Sequence, residues 1–517
     1  MEKRSGPGME YMVEMRHITK RFPGIVANDD VTIQIRPQEI FALLGENGAG
    51  KSTLMSMLFG MYEPDDGEIW IRGERVRITS PNQAAGLNIG MVHQHFKLVQ
   101  NFTAAENIVL GTEPVKRLFG ALPRFDKQQA EQQIRDLSHK YGLEIDPAKR
   151  ISDMDVSARQ RVEILKMLYR RAEILIFDEP TAVLTPQEIR FLLKIIRELK
   201  DQGKTVILIS HKLEEIKQIA DRCAVLNHGR LTAVRDVKDT STREMAALMI
   251  GNELPEPMEK KEIQVSREIL RVEHLTVENK NHLPVVRDVS FSVRGGEIFA
   301  VAGVAGNGQI ELADAIAGLL KAKDGGIYLN GADISQFNVK RRIVSGLSYI
   351  PEDRQTTGLV LDFSLADNLI LKKYGREPFS RRGILNPDEI GRYAEELIGR
   401  YDIRSARGKR TLVRSMSGGN QQKAVIGREI DLQNPLLIFV QPTRGLDIGA
   451  IDKIHRQILK EREAGKAILL ISLELDEIMK LSDTVGVIYN GAMTRISDAK
   501  SLTADQIGAY MMGVKGA

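Results

Sequence analysis

The chain has 517 residues, room for about three domains at roughly 150 residues each, although α/β domains often run larger. Hydrophobic residues make up 42% and charged residues 27%, the composition of an ordinary globular protein, and no apolar stretch reaches the roughly 18 residues that cross a bilayer. The net charge of +4 is too slight to argue for nucleic acid, MEKRSGPGMEYM at the N-terminus lacks the apolar core of a secretory signal, and Cys223, the single cysteine, excludes an intrachain disulfide and suits a reducing cytosol.

From the N-terminus, Ile40–Leu44 is the first apolar run short enough for a strand buried on both faces. It leads directly into Gly45-Glu46-Asn47-Gly48-Ala49-Gly50-Lys51-Ser52, which fits G-x-x-x-x-G-K-[ST]. Glycines there let backbone N–H groups curl around phosphate oxygens, Lys51 brings a positive charge to the β/γ-phosphates, and Ser52 offers a hydroxyl to Mg²⁺. Thr53 and the LMSMLFG stretch continue as a helix whose N-terminus faces the phosphates.

Gln94 follows within MVHQHF, where it can join Mg²⁺ or water to what comes next; His93 and His95 flank it, but a metal site there lacks further ligands. Ala130, Ile134, Leu137 and Tyr141 recur at helical spacing behind Asp126, a candidate N-cap, so a helical subdomain is expected between Gln94 and Ser157. Ile174–Phe177 is a second strand-like run and ends on Asp178-Glu179. An aspartate there can hold Mg²⁺, and a glutamate beside it can polarise the attacking water. Val206–Ile209 is a third run, followed by His211, which is placed to contact the γ-phosphate.

The whole order then repeats. PQEIFALLGENGAGKS at 37–52 echoes GGEIFAVAGVAGNGQI at 295–310, an offset of 258, and LIFDEPTAVLT at 175–185 echoes LIFVQPTRGLD at 437–447, an offset of 262. Two homologous domains are expected at 13–250 and 269–515. The proline-punctuated, charged stretch 251–268 between them reads as an exposed linker.

The phosphate loop, Gln94, Asp178-Glu179 and His211, in that order, together with MSGGNQQK at 416–423, resemble the ATPase subunits of ABC transporters. The resemblance covers nearly the whole chain. It implies an α/β fold of two tandem ABC-type P-loop domains, each with a RecA-like α/β core, an antiparallel β subdomain and a helical subdomain. It implies ATP and Mg²⁺, with Ser52, Gln94 and Asp178 as metal ligands, and Phe22 about where an aromatic ring stacks on adenine. It further implies that the domains pair head to tail, so that ATP on one phosphate loop meets the signature turn of the other domain, Ser417, Gly418 and Gly419, and Asp447 in the loop at the seam.

Set against that pairing, the two halves differ in complementary places. In the second half Gln309 replaces the lysine, Ile310 the hydroxyl, Val440 the aspartate, Gln441 the glutamate, Leu473 the histidine and Glu352 the glutamine; no aromatic lies between Glu278 and Pro284. In the first half the signature is two residues short and reads Val156-Ser157-Ala158-Arg159-Gln160, and Thr185 stands where the second half has Asp447. One composite site is therefore expected to be intact and the other silent, with Glu179, His211, Lys51 and Gln94 carrying catalysis.

Fused twin ATPases with a degenerate second half resemble bacterial importers of simple sugars and nucleosides. HQHFKLVQNFTAAENIVLG at 93–111 and YIPEDRQTTGLVLDFSLADNLIL at 349–371 lean towards the nucleoside branch, with ribose- or galactose-type import as the alternative. A soluble twin ABC ATPase acting on ribosomes or DNA is the remote alternative; such proteins resemble chains with two intact sites and a long charged arm. The resemblance implies membrane permease subunits as partners, an extracytoplasmic substrate-binding protein indirectly, no nucleic acid, and a peripheral place on the cytoplasmic face of the inner membrane.

Overall fold

The computed structural model describes residues 10–514 apart from 24, 47, 94–96, 119–121, 155, 182, 183, 185, 211, 251–257, 280, 305 and 447. The chain divides into two compact units, Met1–Leu254 and Pro255–Ala517.

In unit 1 a six-stranded sheet runs in the order Arg230–Asp236, Arg222–Asn227, Ile40–Gly45, Thr205–Ile209, Ile174–Asp178, Ile89–Val92. All its pairings are parallel except the first, in which the edge strand Arg230–Asp236 runs antiparallel to Arg222–Asn227. The inner strands are apolar runs because helices and a second sheet cover both faces: every residue of Ile40–Gly45 and Thr205–Ile209 is buried. The second sheet is antiparallel, in the order Ile25–Ile35, Val13–Phe22, Asp66–Ile71, Glu74–Val76, and shares one apolar core with the first through Met15, Ile18, Phe41 and Leu43.

Register decides which residues meet. Ile209 pairs with Asp178 on one side and with Leu43 on the other, so Asp178 and Gly45 reach the same carboxyl edge of the sheet. Ligands of open α/β sheets bind outside that edge.

Unit 2 repeats the plan. Its six strands run Leu347–Ile350, Leu436–Val440, Ala467–Ser472, Ile298–Ala302, Thr484–Tyr489, Ala492–Asp498, and a four-stranded antiparallel sheet runs Pro284–Arg294, Glu268–Glu278, Ala322–Leu329, Ala332–Asp333.

The segment expected to be helical contains the helices Ala104–Val109, Lys127–Lys140 and Val156–Tyr169, and Asp126 caps the second by accepting from the Gln129 N–H at 3.1 Å. It also contains a hairpin, Val115–Leu118 against Leu122–Phe125, that the periodicity did not foretell; unit 2 carries a shorter one, Ser380–Arg381 against Ile384–Leu385. The described part of the charged stretch is fastened to unit 2: Lys260 pairs with Asp483 at 2.7 Å, Lys261 with Glu463 at 2.9 Å, and Met258 packs on that unit's core. No helix among the described residues is long and apolar enough to cross a membrane.

Candidate functional site

The loop after Ile40–Gly45 closes onto the helix Lys51–Leu58. Ala49 donates to the Glu46 carbonyl at 3.0 Å, and Gly50 takes a left-handed φ of 97° to start the helix. A Cβ at Gly50 would stand 2.3 Å from the Ala27 carbonyl oxygen, so only glycine fits. Gly48, also left-handed, has no atom within 4 Å of where its Cβ would point: that side of the loop is open. Asn28, fully buried, donates to the Gly50 carbonyl at 3.2 Å and holds the loop from behind.

Lys51 is 5% exposed, and its ammonium donates to the Gly45 carbonyl at 2.7 Å and the Glu46 carbonyl at 2.9 Å. Burial pushes its pKa down, against the pull of Glu179, Asp178 and Glu46. Ser52, next on the helix and exposed, donates its hydroxyl to Asp178 Oδ1 at 3.2 Å. Burial, with Glu179 beside it, pushes the Asp178 carboxyl up, and Ser52 and Lys51 oppose this. Thr53 follows, half-buried.

Glu179 sits past the strand end with a left-handed φ of 46°, fixed by donation of its N–H to the Ile209 carbonyl at 3.0 Å. Thus Lys51, Ser52, Asp178 and Glu179 converge on one edge. Ser52 and Asp178 already form the hydroxyl–carboxylate pair of hard oxygens that Mg²⁺ takes, and among the described residues no cation forms an ion pair with the buried carboxylate; this donor set fits the ion.

Phe22 is half-buried at the tip of the hairpin whose second strand supplies Ala27 and Asn28 to Gly50. Its ring packs edge-on against Tyr62 at 5.3 Å, and exposed Ile25 and Val26 share that tip. Tyr62 and Asn28 were missed in the sequence, where neither belongs to a spaced motif. Asn47, Gln94, His211 and Asp447, all expected at the site, lie outside the described residues.

Beside His93, a cavity of about 200 Å³ lies against the helix Val156–Tyr169, lined by Phe59, His93, Lys97, Glu163 and Lys166 among others. Burial, helped by Lys97 and Lys166, pushes the His93 imidazole down to about 4, so it is neutral at physiological pH. No cluster of three metal-ligating side chains occurs among the described residues.

The matching loop of unit 2 keeps the left-handed glycine at the start of its helix and none of the chemistry. Gly308 opens its helix with φ 99°, but Gln309 folds its amide back to the Val304 carbonyl at 3.1 Å. Ile310 packs against the core, and Val440 is fully buried within it. Gln441 holds φ 50° and donates its N–H to Ile471 at 2.8 Å, as Glu179 does to Ile209. Glu352 is paired with Arg444.

Unit 2 instead presents an ordered signature turn. Ser417, in extended backbone, stands at the N-cap position of the helix Gly418–Ile430 without a side-chain cap, and its Oγ accepts from the Asn420 side-chain amide at 2.9 Å. Gly418 and Gly419 head that helix, where the first N–H groups have no intrahelical acceptor. At the corresponding helix of unit 1, the Arg159 guanidinium is engaged with the Ile151 and Ser152 carbonyls.

Fold and site define a P-loop ATPase with one equipped and one stripped phosphate loop. The sequence profile described as ABC transporter matches residues 28–182 and 286–444. Over 505 residues the chain is 50% identical to the guanosine import ATP-binding protein NupO of Bacillus subtilis (98% of each chain). It is 45% identical to the nucleoside import ATP-binding protein NupA of Lactococcus lactis (98% of each). It is 40% identical to the ribose import ATP-binding protein RbsA 1 of Rubrobacter xylanophilus (96% of this chain, 97% of the other). The chain belongs to the ABC transporter family, and as such is an ATP hydrolase coupled to transmembrane transport.

Proposed function

We propose that the chain is the ATP-hydrolysing subunit of a nucleoside importer, docked on membrane permease subunits at the cytoplasmic face of the membrane. The observation that carries the cargo is the pair of full-length relatives at 50% and 45% identity, both named for import of guanosine or nucleosides. Import of a simple sugar is the second reading, favoured by the full-length relative at 40% named for ribose.

The proposed chemistry follows from the converged residues. The loop amides from Gly45 to Thr53, Asn47 included, cradle the phosphates of ATP, Lys51 places its charge on the β/γ-phosphates, and Phe22 stacks on the adenine. Ser52, Asp178 and Gln94 would hold Mg²⁺, which when bound neutralises charge that develops on the transferred phosphoryl group. Glu179 orients the attacking water and His211 contacts the γ-phosphate. Ser417, Gly418, Gly419 and Asp447 complete the site in trans. Support for this pairing is the sorting of losses: every phosphate-handling position is retained in one unit, every signature position in the other, and independent decay would not divide that way. Hydrolysis then releases the signature turn, and the helical segment after Gln94 passes the movement to the permease. The extracytoplasmic binding protein delivers the cargo to the permease, so no residue of this chain needs to touch it.

Uptake of labelled guanosine and of labelled ribose, in cells carrying the wild-type chain or Glu179→Gln, tests the proposal. Loss of guanosine uptake alone supports it. Loss of ribose uptake alone replaces the cargo and keeps the mechanism. No change in either overturns the import reading for both cargoes.

A further inference from the structure

The sixth strand ends at Val92 in unit 1 and at Ile350 in unit 2. Val99 and Val360 then occupy matching places, each donating its N–H at 2.8 Å to an asparagine eight residues on, Asn107 or Asn368. Val99 follows Val92 by seven positions, whereas Val360 follows Ile350 by ten. The extra length in unit 2 is taken up by a π-helical turn, Arg354–Gly358. Such turns are uncommon and collect at functional sites.

Asp353 builds the turn by accepting from the N–H groups of Gln355 at 2.9 Å and Thr356 at 3.2 Å, and from the Thr356 hydroxyl at 2.6 Å. The turn is then stitched to the signature helix: Gln355 donates to Gln421 at 3.2 Å, and Arg428 donates to the Gly358 carbonyl at 2.8 Å. Its first residue, Arg354, is laid against the signature turn itself. One guanidinium nitrogen lies 2.5 Å from where a Cβ on Gly418 would stand. Another donates to the Arg444 carbonyl at 3.3 Å, in the loop that leads to Asp447. Its Nε is buried and has no hydrogen-bond partner, and among the described residues no carboxylate forms an ion pair with it. The neighbouring acid Glu352 is taken by Arg444, and Asp353 is committed to the turn. The Arg354 guanidinium, whose neighbouring acid Asp353 is committed to the turn, thus sits beside helix N–H groups that have no intrahelical acceptor, and the pair presents the donors that a phosphate oxygen accepts.

We infer that Arg354 is a further phosphate-binding residue of the unit 2 signature face, which makes that face specific for the terminal phosphate of a nucleoside triphosphate. The inference rests on the proposed pairing of the signature turn with ATP held by unit 1. The unit that keeps an intact signature has the added turn and its arginine; the unit with the shortened signature has Phe96 and Lys97 at the matching positions and no extra length.

The test is equilibrium binding of a non-hydrolysable ATP analogue and of ADP to the purified full-length chain carrying Arg354→Gln, Arg354→Lys or Ser417→Ala. Loss of one charged hydrogen bond predicts that Arg354→Gln weakens the triphosphate about tenfold or more. ADP, which lacks the phosphate concerned, should change less than about twofold. Arg354→Lys, which keeps the charge but not the fork, should recover part of the difference, and it carries the test if the glutamine variant folds poorly. Equal weakening of triphosphate and diphosphate, or no change while Ser417→Ala weakens the triphosphate, would overturn the inference and leave the composite site standing. If Ser417→Ala is silent as well, the composite site falls and the role of Arg354 falls with it.

Discussion

Glu179→Gln is the sharpest probe of the site, because the molecule already contains its control. Gln441 occupies the same place in unit 2, with φ 50° against 46° and the same backbone bond, at 2.8 Å against 3.0 Å. Whatever a left-handed residue costs here, both units bear it, and glutamine is shown to hold the turn. The substitution should therefore change the stability of the free chain by less than about 0.5 kcal/mol, or about 1–2 °C in the unfolding midpoint. It should leave nucleotide binding intact, since Lys51 and Ser52 are untouched; ATP at about 100 times its dissociation constant would still stabilise the chain by about 2.7 kcal/mol. Hydrolysis should fall about 10²- to 10³-fold, the usual consequence of removing one preorganised group, or roughly 2.7–4 kcal/mol of barrier. Phosphate release and thermal unfolding, each with and without ATP, measure the three quantities together. Retention of more than about a tenth of the rate, well outside that range, would refute water activation by Glu179. A drop of several degrees in the free chain would show instead that the carboxylate holds the fold. The reverse change, Gln441→Glu, should restore no second activity, because Gln309, Ile310 and Val440 remain.

Phe22→Ala should weaken ATP by the stacking energy of about 1–3 kcal/mol, some 5- to 150-fold, with kcat at saturation nearly unchanged and Phe22→Trp close to wild type; titration calorimetry and steady-state rates distinguish these. Gly50→Ala forces a Cβ to 2.3 Å from the Ala27 oxygen at φ 97°, so it should cost about 2 kcal/mol or more and be visible in urea unfolding before any nucleotide is added. Cys223 is fully buried, and burial raises its thiol pKa from 9.0 to about 11. A thiol reagent at pH 8 should label only unfolded chain. Because the unfolded thiol ionises first, the stability it contributes is complete below about pH 9 and is lost as pH rises towards 11, which unfolding midpoints across that range would record, against a Cys223→Ala control.

The site was legible where chemistry demands local spacing. A loop that wraps phosphate must bring glycine, lysine and a hydroxyl within one turn, so Gly45–Ser52 announces itself. Asp178-Glu179 is marked by the apolar run that delivers it to the sheet edge. What stayed hidden depends on distant partners. Lys260 and Lys261 look like solvated linker charges, yet their acids, Asp483 and Glu463, lie over 200 residues on. Asn28 and Tyr62 gain their roles only once the antiparallel sheet folds against the loop. The Val115–Phe125 hairpin mixes basic and apolar residues without a clean alternation, so neither helical nor strand periodicity claims it. The turn at Arg354 had a weak signal: the offset between the repeats, 258 at the phosphate loop, has become 261 by the Asn107–Asn368 pair.

The stripped unit also explains why it could be stripped without losing its fold. In unit 1, Lys51 and Asp178 are both held against the pull of water, one pKa pushed down and the other up by burial, so the free chain keeps two charges in a place that disfavours them. Such an arrangement suits a ligand whose charges offset that burial better than it suits stability. In unit 2 the same positions are a neutral amide that closes onto Val304 and a valine sunk in the core, while Ile310 adds apolar contact where Ser52 would face solvent. Each replacement removes a desolvated charge or adds buried apolar surface, so loss of nucleotide chemistry there costs the fold nothing. The signature turn responds to a different demand. On the proposed pairing it keeps its glycines and its flanking arginine to receive a phosphate, whatever becomes of its own loop, so the phosphate loop of unit 2 would be free to decay while its signature would not.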